Sequence, residues 1–130
     1  MHSKDGLDEI SLAQATHVAE LKDNEIREWQ FIPEDYGIDS QSLIGLNVAN
    51  SQESLKLIRD ALGRNKSSLG DKAASMIALN AGAGIYVAGL SRNLGQGISF
   101  AQDIIYGGQA LEKMSILAEF TQSLTESVNT

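Results

Sequence analysis

The chain contains no cysteine, a single proline and a single tryptophan. Without cysteine there can be no disulfide, no thiolate zinc site and no cysteine nucleophile. A reducing, cytoplasmic setting is the compartment such a chain fits. Basic residues are scarce as well: 10 Lys and Arg stand against 17 Asp and Glu, for a net charge of −7. No basic patch with interleaved aromatics occurs, so nucleic acid is not an expected partner. The same negative charge repels anionic ligands at long range. A phosphate bound here needs a cation or a nest of backbone N–H groups beside it. Long apolar runs are missing too. The longest, Met76 to Leu90, is broken by Asn80 and three glycines, too short and interrupted to span a bilayer. The first residues carry no apolar stretch of signal-peptide type. No membrane is expected as a partner.

What is present suits one domain or a piece of one. Hydrophobic residues make up 42% and charged residues 21% of 130, too apolar for disorder. Two strands are predicted, Thr16 to Leu21 and Glu25 to Phe31. The turn between them contains Asn24, which tolerates the left-handed conformation of tight hairpins. Pro33 ends the second strand, Glu34 to Gly37 reads as a turn, and residues 38–50 read as irregular. Asn50 and Glu53 have the spacing of a capping box. Leu55, Ile58, Ala61 and Leu62 then follow at helical spacing until Gly63. After a linker over residues 64–70, a helix over about 71–90 is apolar nearly all round and is expected at the buried centre. Two more helices are predicted over 95–106, ended by Gly107 and Gly108, and over 109–124, with a frayed tail over 125–130. The fold class is α+β: a β-hairpin followed by four helices. A hairpin alone is marginal, and no strand is predicted ahead of the first loop to hold it. Both points suggest that further chain precedes Met1.

Few residues invite chemistry. His2 and His17 have no partner at metal-ligand spacing, and His17 reads as structural. Gly82-Ala83-Gly84 and Gly95-Gln96-Gly97 lack the strand–turn–helix context or third glycine of a dinucleotide loop. Close helix packing is the better reading for them. Asn80, inside the apolar helix, needs hydrogen-bond partners. Asp8 and Glu9 are different. Adjacent side chains diverge in a strand, but in a loop loosened by Gly6 they can converge. Converging carboxylates repel unless a cation lies between them. Hard oxygen ligands without His or Cys favour Mg²⁺, which takes one or two protein carboxylates and completes its shell with water and phosphate. The plain alternative is a solvated acidic turn.

Four segments in register, HSKDGLDEIS from His2, THVAELKDNEIREWQFIPEDYGI from Thr16, NAGAGIYVAG from Asn80 and GQALEKMSILAEFTQ from Gly108, resemble the C-terminal portion of the anthranilate phosphoribosyltransferase family. SQESLKLIRDALG from Ser51 resembles its bacterial form. Many members have Gly-Gly-Asp in the preceding loop, where this chain has Leu46 to Asn50 as LNVAN.

The resemblance implies part of the large α/β domain of the nucleoside phosphorylase/phosphoribosyltransferase-like fold. It implies that Asp8 and Glu9, behind Gly6-Leu7, help hold Mg²⁺ against the pyrophosphate of phosphoribosyl pyrophosphate. The family transfers the phosphoribosyl group to the amine of anthranilate in tryptophan biosynthesis and forms homodimers. Its glycine-rich phosphate loop, its anthranilate-binding arginine and its N-terminal helical domain are expected upstream of Met1. Two other readings stay open at this point: a related pyrimidine nucleoside phosphorylase, and a non-catalytic α+β module.

Overall fold

The computed structural model describes residues 1–128. Strand β1 (His2–Ser3) is followed by β2 (Thr16–Lys22), β3 (Glu25–Phe31) and a 3-10 turn (Pro33–Tyr36). Helices α1 (Ser51–Leu62), α2 (Ser68–Val87), α3 (Leu94–Tyr106) and α4 (Gln109–Val128) complete the chain. The strands form an antiparallel sheet in the order β1-β2-β3. Asp23 and Asn24 both take positive φ, 53° and 62°, the pair of left-handed residues a two-residue hairpin turn requires. Among the described residues, no helix is long and apolar enough to cross a membrane.

The α+β reading and the four helices match the sequence expectation. β1 corrects it. The hairpin is the larger part of a three-stranded sheet, and the acidic loop is preceded by a strand. His2 pairs with His17, and Ser3 with Thr16. A strand of two residues carries no alternation to read, because it exists only through its partner. Helix α2 also starts earlier than residue 71. Ser67 caps it, its hydroxyl accepting from Gly70 N–H at 3.0 Å. Helix α4 runs to Val128, so the expected frayed tail over 125–128 is helical, and its last two residues lie outside the described ones.

Two apolar clusters hold these elements. The first joins the loop, the sheet and the helices through Ile10, Leu12, Phe31, Leu79, Leu94 and Ile98. Full burial of each such side chain contributes about 1.5–3 kcal/mol. Val18 and Trp29, paired across the sheet, pack onto this cluster. The second, mostly alanine, seats α1 and α3 on α2 through Ala61, Ala73, Ala74, Ala78, Ala101 and Ile105. Helix α2 is therefore central, but it is not buried all round. Ala81, Gly84 and Val87 lie on an open face. On α4, Leu111 and Met114 pack on the second cluster, whereas Leu117, Phe120 and Leu124 are exposed.

Glycine sets how closely α2 and α3 cross. A Cβ on Gly82 would lie 2.5 Å from Ile98 Cα, and one on Gly97 would strike the carbonyl oxygen of Gly82. A Cβ on Gly84 would meet nothing within 4 Å. The close-packing role expected of the glycine cluster therefore falls on Gly82 and Gly97.

The two α2 glycines should respond oppositely to alanine. Gly82→Ala forces the helices apart and should cost about 1–3 kcal/mol, less whatever alanine gains in helix propensity. Gly84→Ala should stabilise by up to about 1 kcal/mol. Urea unfolding midpoints decide the matter, and a gain at both positions would refute the close crossing.

Candidate metal-binding loop

The segment between β1 and β2 is fixed from within. Ser3 is fully buried, and its N–H donates to the Leu7 carbonyl at 2.8 Å. Leu7 N–H donates in turn to Ser3 Oγ at 3.1 Å. Gly6 takes φ +92°, a backbone conformation that glycine adopts without steric cost. Further on, Ser11 N–H donates to Thr16 Oγ1 at 3.1 Å, and Ser11 Oγ accepts from Ala13 N–H at 2.9 Å.

Asp5 ties the two ends of the segment together. Its carboxylate accepts from the Ser3 hydroxyl on one oxygen and from the Ser11 hydroxyl, at 2.5 Å, on the other. Desolvation pushes the Asp5 carboxyl up. The hydrogen bonds from Ser11 and Ser3, with backbone N–H bonds behind them, outweigh it and hold the group below the usual aspartate value. Sequence reading passed over Asp5. Its signal was the Ser-x-Asp spacing within the quoted motif, with Ser11 six residues on.

Asp8 and Glu9 are both exposed on the outward arc between half-buried Leu7 and fully buried Ile10. Asp8 and Glu9, the two expected ligands, are thus exposed neighbours on one short arc. No third acid, histidine or cysteine joins them: among the described residues no group of three such side chains could hold an ion. His2 and His17 face each other across β1 and β2, both exposed, and belong to no such group. Two carboxylate donors alone fit Mg²⁺, which fills its remaining positions with water and phosphate, and do not fit a protein-caged Ca²⁺ or Zn²⁺ site. Behind the arc, a groove of about 710 Å³ is lined by Ile10, Val18, Trp29, Asn80, Tyr86 and Leu94; neither Asp8 nor Glu9 lines it.

Residues 1–111 match the family described as "Glycosyl transferase family, a/b domain". The chain belongs to that glycosyl transferase family. Within it, the chain is 68% identical over 127 residues to an anthranilate phosphoribosyltransferase of Acinetobacter baumannii, covering 98% of this chain and 36% of that protein. The enzyme of that name from Acinetobacter baylyi is 66% identical, over 99% of this chain and 37% of its own length. The chain therefore spans about a third of the length of the curated relatives it matches. Among solved structures, the anthranilate phosphoribosyltransferase of Thermus thermophilus superposes with TM-score 0.78 at 26% identity, over 91% of this chain and 34% of that one. A Saccharomyces cerevisiae variant, described with Mg bound, superposes with TM-score 0.69 over 88% of this chain and 32% of that one. At 19% identity that likeness shows the fold alone, which is the phosphoribosyltransferase-like fold.

The Asp5 tie has a pH signature. A carboxylate whose pKa is depressed by folding contributes stability that is full above its unfolded value, near about pH 4, and is lost as pH falls through the lower folded value. Carboxyl NMR titration should place Asp5 below free aspartate, and Ser11→Ala should raise it. Thermal stability of the parent should fall more steeply below about pH 4 than that of Asp5→Asn. Equal slopes would show that Asp5 is not tied.

Proposed function

We propose that this chain is the C-terminal portion of an anthranilate phosphoribosyltransferase, acting in tryptophan biosynthesis. The observation that carries the reading is the 68% identity to the Acinetobacter baumannii enzyme across 98% of this chain. The reaction breaks the bond between ribose C1 and the pyrophosphate oxygen of phosphoribosyl pyrophosphate. It forms a bond from that carbon to the anthranilate nitrogen, which then loses a proton. The whole enzyme works as a cytoplasmic homodimer, with its glycine-rich phosphate loop, anthranilate site and N-terminal helical domain in the part of the protein upstream of this chain.

Asp8 and Glu9 would hold the metal in this reading. Bound Mg²⁺ supplies Lewis-acid stabilisation of the negative charge that develops on the departing pyrophosphate. The chain's own contribution is to present two carboxylate groups on one backbone arc. Leu7 is bonded to Ser3 on one side and Ile10 is buried on the other, so the backbone of the arc is held at both ends. The requirement for a cation follows from charge. A surface at −7 overall disfavours an anionic substrate, and a divalent ion on the acid pair reverses that locally.

Two measurements test the proposal. In the full-length protein, Asp8→Asn and Glu9→Gln each keep shape while removing one charge from a divalent site. A charge-assisted contact is worth roughly 1.5–3 kcal/mol, one to two decades in affinity or rate. Each variant should need more Mg²⁺ for half-maximal use of phosphoribosyl pyrophosphate, with partial rescue at high Mg²⁺ and unchanged stability. Parental kinetics at every Mg²⁺ concentration would return the pair to a solvated turn.

Residues 1–130 by themselves should show no transferase activity, because catalysis requires groups held together from several parts of the protein. Anthranilate fluorescence followed with phosphoribosyl pyrophosphate and Mg²⁺ is the readout. Consumption above a protein-free control would show that the missing part is dispensable.

A further inference from the structure

We infer that Asn80 is the positioning residue that fixes the acid pair for its metal; this rests on the reading of Asp8 and Glu9 given above. Asn80 lies at mid-length in α2, 70 residues from the loop. Its Oδ1 accepts from Ile10 N–H at 2.9 Å, and its Nδ2 donates to the Ile10 carbonyl at 2.9 Å. Nδ2 also donates to the Met76 carbonyl at 3.1 Å, one turn back on its own helix. A side chain that meets both the N–H and the C=O of one residue has only one amide orientation that satisfies both. Asn80 is thus locked to its helix at one end and to the Ile10 backbone at the other.

Ile10 immediately follows Glu9, and its own side chain is packed in the first apolar cluster. On the other side of the pair, Leu7 is bonded in both directions to Ser3. The acid pair therefore sits on an arc with both ends fixed, one by the loop itself and one by Asn80. Free of Asn80, the Ile10 peptide can rotate about its buried side chain and carry the Glu9 carboxylate with it. Metal ligands must be held close to their working geometry by the shell behind them, and loss of such support commonly costs 10–100-fold in affinity.

The competing role is plain core satisfaction, in which Asn80 matters for stability and nothing more. Mn²⁺ binding to the full-length protein, followed by the electron paramagnetic resonance of the free ion, separates the two. Asn80→Ala should raise the Mn²⁺ dissociation constant about five- to tenfold and speed amide exchange at Ile10, with KM for anthranilate unchanged. Asn80→Asp keeps the size and the acceptor for Ile10 N–H but loses both donated bonds, and it should weaken Mn²⁺ in the same sense if alanine fails to fold. Ala74→Gly, which loosens α2 within the other cluster, should lower stability and leave Mn²⁺ binding at the parental value. In an Asp8→Asn background, Asn80→Ala should add less than about twofold, because the two changes act on one site. Weakened binding in Asp8→Asn together with parental binding in folded Asn80 variants would overturn the positioning role while the acid-pair reading stands. Parental binding in Asp8→Asn would overturn the acid-pair reading, and this inference with it.

Discussion

Asn80 joins the two halves of this molecule. The half-buried amide of Asn80 loses part of its water on folding and needs hydrogen bonds in its place. Here the replacements come from the Ile10 backbone and from Met76. The side chain thereby does for the loop what a neighbouring strand does for a strand: it takes up one N–H and one C=O of an irregular segment. Ile10 can then bury its side chain beside Leu79 and Ile98 without leaving its peptide groups unpaired. A second polar tie works at the edge of the sheet, where Lys22 donates to the Tyr86 hydroxyl and that hydroxyl donates to Glu20 at 2.6 Å. It joins the sheet to α2 at the margin of the first apolar cluster, against which Tyr86 also packs.

The helical half obeys a different constraint, that of distance. With Gly82 and Gly97 at the crossing, α2 and α3 approach until backbone meets backbone, and Ile98 fills the space a Cβ would take. The alanine cluster on the same helix continues this close fit toward α1. Its link to α1 is short and is stapled by Asp60, whose carboxylate accepts from both the N–H and the hydroxyl of Ser67. Lys72 secures the irregular stretch before α1 by donating to the carbonyls of Ser42 and Ile44, at 3.0 and 2.9 Å. Helix α2 is thus the element on which loop, sheet and both neighbouring helices are registered. Through Asn80 it also reaches the backbone of Ile10, the residue that follows the acid pair.

Signals confined to a few residues were legible in the sequence. Asn24 marked the hairpin, and Gly63 marked the end of α1. Asn50 with Glu53 marked the start of α1: the Asn50 side chain accepts from Glu53 N–H, while Glu53 reaches back to the N–H of Ala49. Features that depend on a distant partner were not legible. β1 exists because residues 16 and 17 accept it. The early start of α2 was masked by Gly70, which reads as a linker residue but sits in the first turn beneath Asp60. Periodicity marked the apolar face of α4 but could not say how far along the helix a neighbour covers it. At the site, the acid pair was visible as a local motif. Asn80 was visible only as a polar residue in need of partners, because hydrogen-bonding demand is a property of the residue whereas the identity of the partner is a property of the fold.

This arrangement also bears on the two like charges carried on one arc. Adjacent carboxylates repel where they converge, and a free loop can turn one of them away. The Ser3–Asp5–Ser11 bonds and the Asn80 clamp fix the backbone on either side of the pair, while the two exposed side chains keep their own rotamer freedom. In the metal-binding role proposed for the pair, a backbone fixed beforehand leaves less conformational freedom to be lost on binding. The depressed pKa of Asp5 belongs to the same logic. Its charge is held by two hydroxyls rather than by a metal, which keeps it committed to the frame of the loop and leaves Asp8 and Glu9 as the carboxylates directed outward.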